Sequence, residues 1–188
     1  MTELLPLDQE LADALIISAT NVFKTALIVN VEPQAWSLID TPLRGDYSGS
    51  IYMVDMNNKE HVAIMSLSFM DPVIRHVLQT IYGSSMNERN IETKMKLKDG
   101  ISEITNIIYT GVKSILNNNG HSFVLSLPII IEGKDHVIKK NTNNKSLRIP
   151  FLTSDYEFFI DACIDIAPIN LSEILPTIWN VKASMDDK

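Results

Sequence analysis

From Glu10 to Ala26 the apolar residues Leu11, Leu15, Val22 and Ala26 recur at near-helical spacing, which predicts an amphipathic helix with Asp8 as its N-cap. Pro33 ends any continuation, and a short strand is expected over Ala35 to Leu38. After the turn chemistry of Gly45-Asp46, Tyr47 to Met56 alternates as a strand should. Asn57-Asn58 supplies a turn, and Glu60 to Phe69 returns as the hairpin partner. Asp71 reads as the cap of a second helix, with Pro72 at its first position and Gly83 as its stop after Tyr82.

A polar connector, Ser84 to Asn90, leads into the longest helical pattern, Ile91 to Asn117, with a break expected near Asp99-Gly100. The run Asn117 to Gly120 ends it. Three strand-like stretches follow: Phe123 to Glu132, Leu147 to Leu152 and Tyr156 to Ile166, with Asn141 to Lys145 as a solvated hairpin tip. Helix, strands and helix, then helix and strands again, make an α+β fold with two similar halves rather than a βαβ alternation.

Composition narrows the class. The chain has 188 residues, 45% hydrophobic and 21% charged, enough apolar material for a core and too much for disorder. Its net charge of −7 argues against nucleic acid or an anionic membrane surface as partner, since both need a basic footprint. No apolar run approaches the roughly 20 residues of a membrane helix. Met1 to Glu10 carries acids but no Lys or Arg, so no secretory signal is expected there. Cys163 is the single cysteine, which excludes an intramolecular disulfide and argues against a thiolate metal cage. A reducing, cytoplasmic setting is the expectation.

Standard catalytic signatures are absent. His61, His76, His121 and His136 are scattered without ligand spacing, so no metal site is expected. There is no Walker loop, GxGxxG or GxSxG. Cys163 lies in a strand pattern and reads as a core or sheet-face thiol. Asp161 and Asp165 share a strand face and are expected to be solvated. One constellation remains. On the long helix Asp99, Glu103, Asn106, Thr110 and Lys113 form a polar face, opposite an apolar stripe of Ile101, Ile104, Ile108, Val112 and Ile115. Glu-xx-Asn alone is uninformative: with 10 Glu and 15 Asn in the chain, about 0.8 such pairs arise by chance. The longer pattern, with Asp99 four residues before Glu103 and Pro128 beyond Asn106, is far more selective.

The block from Asp99 to Val137 resembles the signature of the CheC/CheX/FliY phosphatases of bacterial chemotaxis. Those proteins carry Asp or Ser, then Glu-xx-Asn, on a long helix, and a proline at a gap one residue longer than the one here. The run Gly45-Asp46-Tyr47-Ser48-Gly49-Ser50 is similar to one that feeds a strand in CheX. The first helix offers only a partial second motif, Ala14, Ser18 and Asn21 with Pro42 downstream; a single intact site favours CheX over CheC.

The resemblance implies long helices packed on an antiparallel sheet, with residues 1–166 as the family domain and 167–188 as a tail of unassigned role. It implies a protein substrate: a phosphorylated CheY-like response regulator that brings its own Mg²⁺, with no cofactor in this chain. Asn106 is suited to orienting the attacking water, because its amide both accepts and donates. Glu103 is expected to pair with the regulator's lysine. Asp99 is expected to start the helix or make a local hydrogen bond, and Pro128 to shape the strand beneath it. A homodimer through paired sheets is also implied, with Phe158 to Ile166 as the candidate edge. The alternative is a non-catalytic adaptor of the same fold.

Overall fold

The computed structural model describes residues 6–57, 62–87, 89–138 and 145–164. The elements run α1 (Pro6–Thr25), β1 (Glu32–Pro33), β2 (Ser37–Ile39), β3 (Leu43–Asp55), β4 (Val62–Phe69), α2 (Asp71–Tyr82), α3 (Ile91–Asn118), β5 (Phe123–Leu125), β6 (Ile129–Ile138), β7 (Ser146–Leu152) and β8 (Glu157–Ile164). A short 3-10 turn, Gly83–Asn87, joins α2 to the loop before α3.

All strands form one antiparallel sheet. Its central path is β7-β8-β4-β3; β1 and β2 both pair with the outer side of β7, and β5 and β6 with the outer side of β3. Exchanging β2, β3 and β4 for β6, β7 and β8 returns the same order reversed. The two similar halves expected from the sequence are therefore related by a pseudo-two-fold between β4 and β8, with α1 and α3 packed together on one face.

Strand alternation builds the core on that face. Ile51 and Met53 of β3, Met65, Leu67 and Phe69 of β4, Ile149 and Phe151 of β7, and Phe158 and Ile160 of β8 are buried with Leu15, Phe23, Ile101, Ile104 and Ile108 of the helices. Phe158 is the hub. Its ring centroid lies 4.8 Å from Phe23, 5.0 Å from Phe69 and 5.3 Å from Phe151, which ties α1 to both hairpins.

Several expectations are corrected. Asp8 is not an N-cap; α1 starts at Pro6, and Asp8 lies inside it, buried. Met70, not Asp71, occupies the α2 cap, while Asp71 is the first helical residue and accepts a 2.8 Å bond from Arg75 one turn on. Helix α3 runs unbroken through Asp99-Gly100; its cap is Asn90, which accepts from the Thr93 amide at 2.8 Å. The stretch Phe123 to Glu132 is two strands, because Pro128 has no N–H to offer a ladder.

Asp161 is buried rather than solvated, held by Arg148 through two 2.7 Å bonds. Strand β8 lies between β4 and β7, so it is not an edge. The hairpin tip at 141–144, His61, Asp165 and the tail at 167–188 lie outside the described residues.

Candidate active site on helix α3

Helix α3 is held from three directions by contacts in which it or its neighbour lacks a Cβ. Gly100 faces Leu78 of α2, whose Cδ1 would be 2.5 Å from a Cβ placed there. Gly111 faces Ser18 of α1, whose Cβ would be 3.2 Å away. On the third side Thr105 rests on Gly49 of β3. Glycine inside a helical pattern is unfavourable, so Gly100 and Gly111 each mark a close approach, although in the sequence Gly100 suggests a break instead.

This clamping presents one face outward. Asp99, Glu103, Asn106 and Thr110 are exposed and Lys113 is half-buried, while Ile101, Ile104, Ile108 and Val112 are buried and Ile115 partly so. Glu103 and Asn106, one turn apart, are neighbours on that face. Among the described residues neither side chain has a hydrogen-bond or ion-pair partner. The nearby lysines of α3 are engaged elsewhere: Lys94 and Lys98 reach Glu132 of β6 at 3.8 and 2.8 Å, and Lys96 pairs with Glu92 at 2.6 Å. The face thus carries a carboxylate and a carboxamide, both available to an incoming partner. Ile107, next to Asn106 on α3, is 40% exposed and Ile17 of the packed helix α1 is 50% exposed, apolar surface that sequence periodicity did not single out.

Behind the face, Tyr109 is fully buried with its hydroxyl unpaired among the described residues, and burial followed by the charge of Asp161 raises its pKa well above the usual phenol value. It stays protonated at neutral pH and offers the outer face no proton. Pro128 does not join the exposed row. It lies in the break between β5 and β6, two residues before Ile130, the register partner of Gly49. There Ser126 bridges the interruption, its amide donating to the Tyr52 carbonyl at 2.9 Å and its hydroxyl accepting from the Tyr52 amide at 3.1 Å.

The Gly45 to Ser50 run builds the scaffold. Asp46 accepts from the backbone amides of Asp71 at 2.8 Å and Asp135 at 2.7 Å, fastening the start of α2 to the β6 bend. Ser48 and Ser50 pair with Ser68 and Ser66 directly across the ladder, at 2.6 and 2.8 Å. Ser48 also meets His136 Nε2 at 2.7 Å. His121 bonds Glu10 at 2.9 Å, and the His76 ring packs on Tyr156. Among the described residues no three His, Cys, Asp or Glu side chains gather as metal ligands.

Comparison with known proteins decides the family. A family model described as chemotaxis phosphatase CheX matches residues 41–152, which span the sheet motif, α3 and Pro128. The chain belongs to the CheX family. Similar solved structures include a CheX from Vibrio vulnificus, 29% identical with a TM-score of 0.71, covering 82% of this chain and 99% of that one. A CheC-like superfamily protein from Shewanella sp. PV-4 is 25% identical at TM-score 0.72, covering 82% and 97%. A CheX solved as a CheX–CheY–BeF3–Mg²⁺ complex from Borrelia burgdorferi shares the fold at 19% identity and TM-score 0.66, covering 81% and 96%. No match was found among curated proteins.

Within the CheX family context the first-helix motif is clarified. Ala14 is fully buried, and Ser18 is buried with its hydroxyl donating to the Ile108 carbonyl at 2.6 Å. The α1 position corresponding to Glu103 therefore faces α3 rather than a partner. Asn21 is exposed, with no carboxylate beside it in the motif. Among the described residues no helix is long and apolar enough to cross a membrane.

Proposed function

We propose that this CheX-family chain is a phosphatase for the aspartyl phosphate of a CheY-like response regulator. The observation that carries the reading is the pairing of Glu103 and Asn106 on the exposed face of a helix clamped from three sides, both without partners among the described residues. Acyl-phosphate hydrolysis needs a water held in line and charge stabilised, more than covalent help from the enzyme. A carboxamide is suited to this, because its oxygen accepts from the water and its NH₂ donates to a phosphoryl oxygen. Glu103, unneutralised, is placed to pair with the regulator's lysine and register the two proteins. Asp99, one turn before Glu103, extends the acidic row, and Pro128 acts through the sheet edge. The partner supplies Mg²⁺ with its own phosphoryl site. The Borrelia burgdorferi relative, solved with CheY, BeF3 and Mg²⁺, supports a partner of this kind.

Ile17 and Ile107 suit a protein substrate, since apolar anchors beside polar groups are how protein surfaces dock. A homodimer in this family's manner would need an edge other than β8. Strand β6, whose one neighbour among the described residues is β3, is the candidate.

The reading is tested by phosphate release from a phosphorylated CheY-type regulator with Mg²⁺, comparing the wild-type chain with Asn106→Ala. Acceleration lost in the variant is expected. No acceleration with any regulator of the same genome favours the adaptor.

A further inference from the structure

Directly behind Asn106, helix α3 meets the sheet with no clearance. Gly49 stands mid-way along β3, paired with Leu67 of β4 on one side and Ile130 of β6 on the other. A glycine inside a central strand forfeits packing and stiffness, and is kept where another element must come close. Here that element is Thr105. A Cβ on Gly49 would overlap Thr105 Oγ1 and stand 2.9 Å from its Cβ and 3.1 Å from its Cγ2.

The identity of the intruding atoms decides what yields. At Gly100 the neighbour is the tip of Leu78, which can change rotamer. Thr105 is β-branched, its rotamers are few within a helix, and it is fully buried. It cannot swing clear. A methyl group at position 49 therefore displaces the helix backbone, and Asn106 is the next residue along. Among the described residues the Thr105 hydroxyl has no hydrogen-bond partner, so what this residue supplies is shape.

We propose that Gly49 is a positioning residue for Asn106, its missing side chain letting Thr105 seat α3 at the depth from which the carboxamide reaches the phosphoryl group. The proposal rests on the phosphatase reading above. Thr105 points into the sheet and Asn106 lies about 100° further round the helix, so lifting one moves the other. A shift of about 1 Å at a reacting centre costs on the order of a hundredfold in rate. Docking, spread over Glu103 and the exposed isoleucines, tolerates the same shift far better.

The test is a double-mutant cycle on the full chain, with the phosphorylated regulator as substrate and circular dichroism as the check on folding. Gly49→Ala is expected to lower kcat by about ten- to a hundredfold with KM within about threefold of wild type. In a Thr105→Ala background the Oγ1 and Cγ2 overlaps are gone and only the 2.9 Å approach to Cβ remains, so the same substitution should cost clearly less than it does in the wild-type background. Thr105→Ile, which crowds the contact from the helix side, should reproduce the kcat loss and stands in if Gly49→Ala does not fold.

Wild-type kcat in the folded Gly49→Ala chain, a loss equal in both backgrounds, or a loss confined to KM overturns the positioning role while leaving the phosphatase reading in place. A wild-type chain that accelerates no regulator's dephosphorylation overturns both.

Discussion

Ser18 of α1 donates a 2.6 Å hydrogen bond to the main-chain carbonyl of Ile108, ninety residues further along on α3, and covers Gly111. This joint turns the first-helix counterpart of Glu103 into part of the scaffold. Ser18→Glu is therefore expected to destabilise the fold by about 2–4 kcal/mol, because it buries a carboxylate with no cation opposite. Urea denaturation measures the loss. A Ser18→Glu chain as stable as wild type, with doubled phosphatase activity, would show that α1 retains a site.

Glu103 and Asn106 should separate in kinetics. On the proposed mechanism Asn106→Ala removes the group that orients the water, and kcat is expected to fall by about a hundredfold or more, of order 3 kcal/mol, with KM little changed. On the same mechanism Glu103→Ala removes a docking contact, and KM is expected to rise while turnover falls only as far as misdocking displaces the water. Both side chains are exposed and unpartnered among the described residues, so each substitution should alter stability by less than about 0.5 kcal/mol. Thermal melts alongside the assay would expose a mere folding defect.

Tyr109 sets an alkaline limit. Its folded pKa is raised above 10.0 by burial, so above about pH 10 the unfolded chain releases the phenolic proton while the folded chain keeps it. The folded state then binds more protons, and stability falls as pH rises from about 10 towards the folded pKa. Tyr109→Phe removes that dependence and the unpaired buried hydroxyl together. Unfolding free energies at about pH 8 and about pH 10.5 should show the variant losing less stability than wild type.

Arg148 and Asp161 form a nearly buried bidentate pair, the two side chains 17% and 10% exposed. Replacing Arg148 with Met removes both charge-assisted bonds from a nearly buried carboxylate and should cost about 3–5 kcal/mol, whereas changing both partners to apolar residues should cost much less. Tm values of the two single variants and the double variant decide it. The pair lies in β7 and β8, and neither residue belongs to the exposed α3 row, so kcat of the folded fraction should hold.

Hydrophobic period and turn chemistry located the main helices and strands, and the spacing of Asp99, Glu103 and Asn106 marked the candidate site. Those features are local: a 3.6-residue period puts the three on one face whatever lies beneath, and Gly83 ends α2 at φ +65°, a positive φ that glycine adopts without a Cβ penalty. What a side chain meets across the fold is not local. Gly100 read as a break because a helix interior penalises glycine, yet Leu78 of another helix fills its place. Asp161 read as solvated because its strand alternates, yet Arg148 on the neighbouring strand buries it. Phe158 to Ile166 read as an edge because it is apolar, and register put β8 at the centre instead.

Helical periodicity, which needs no partner, is enough to say that Asp99, Glu103 and Asn106 share one face of α3. That α3 rests on Gly49 and Ser18, and hence how deep and how firmly Asn106 is held, emerges only once the chain has folded. Close packing depends on which atoms meet across long stretches of chain, and no periodicity along the chain encodes it.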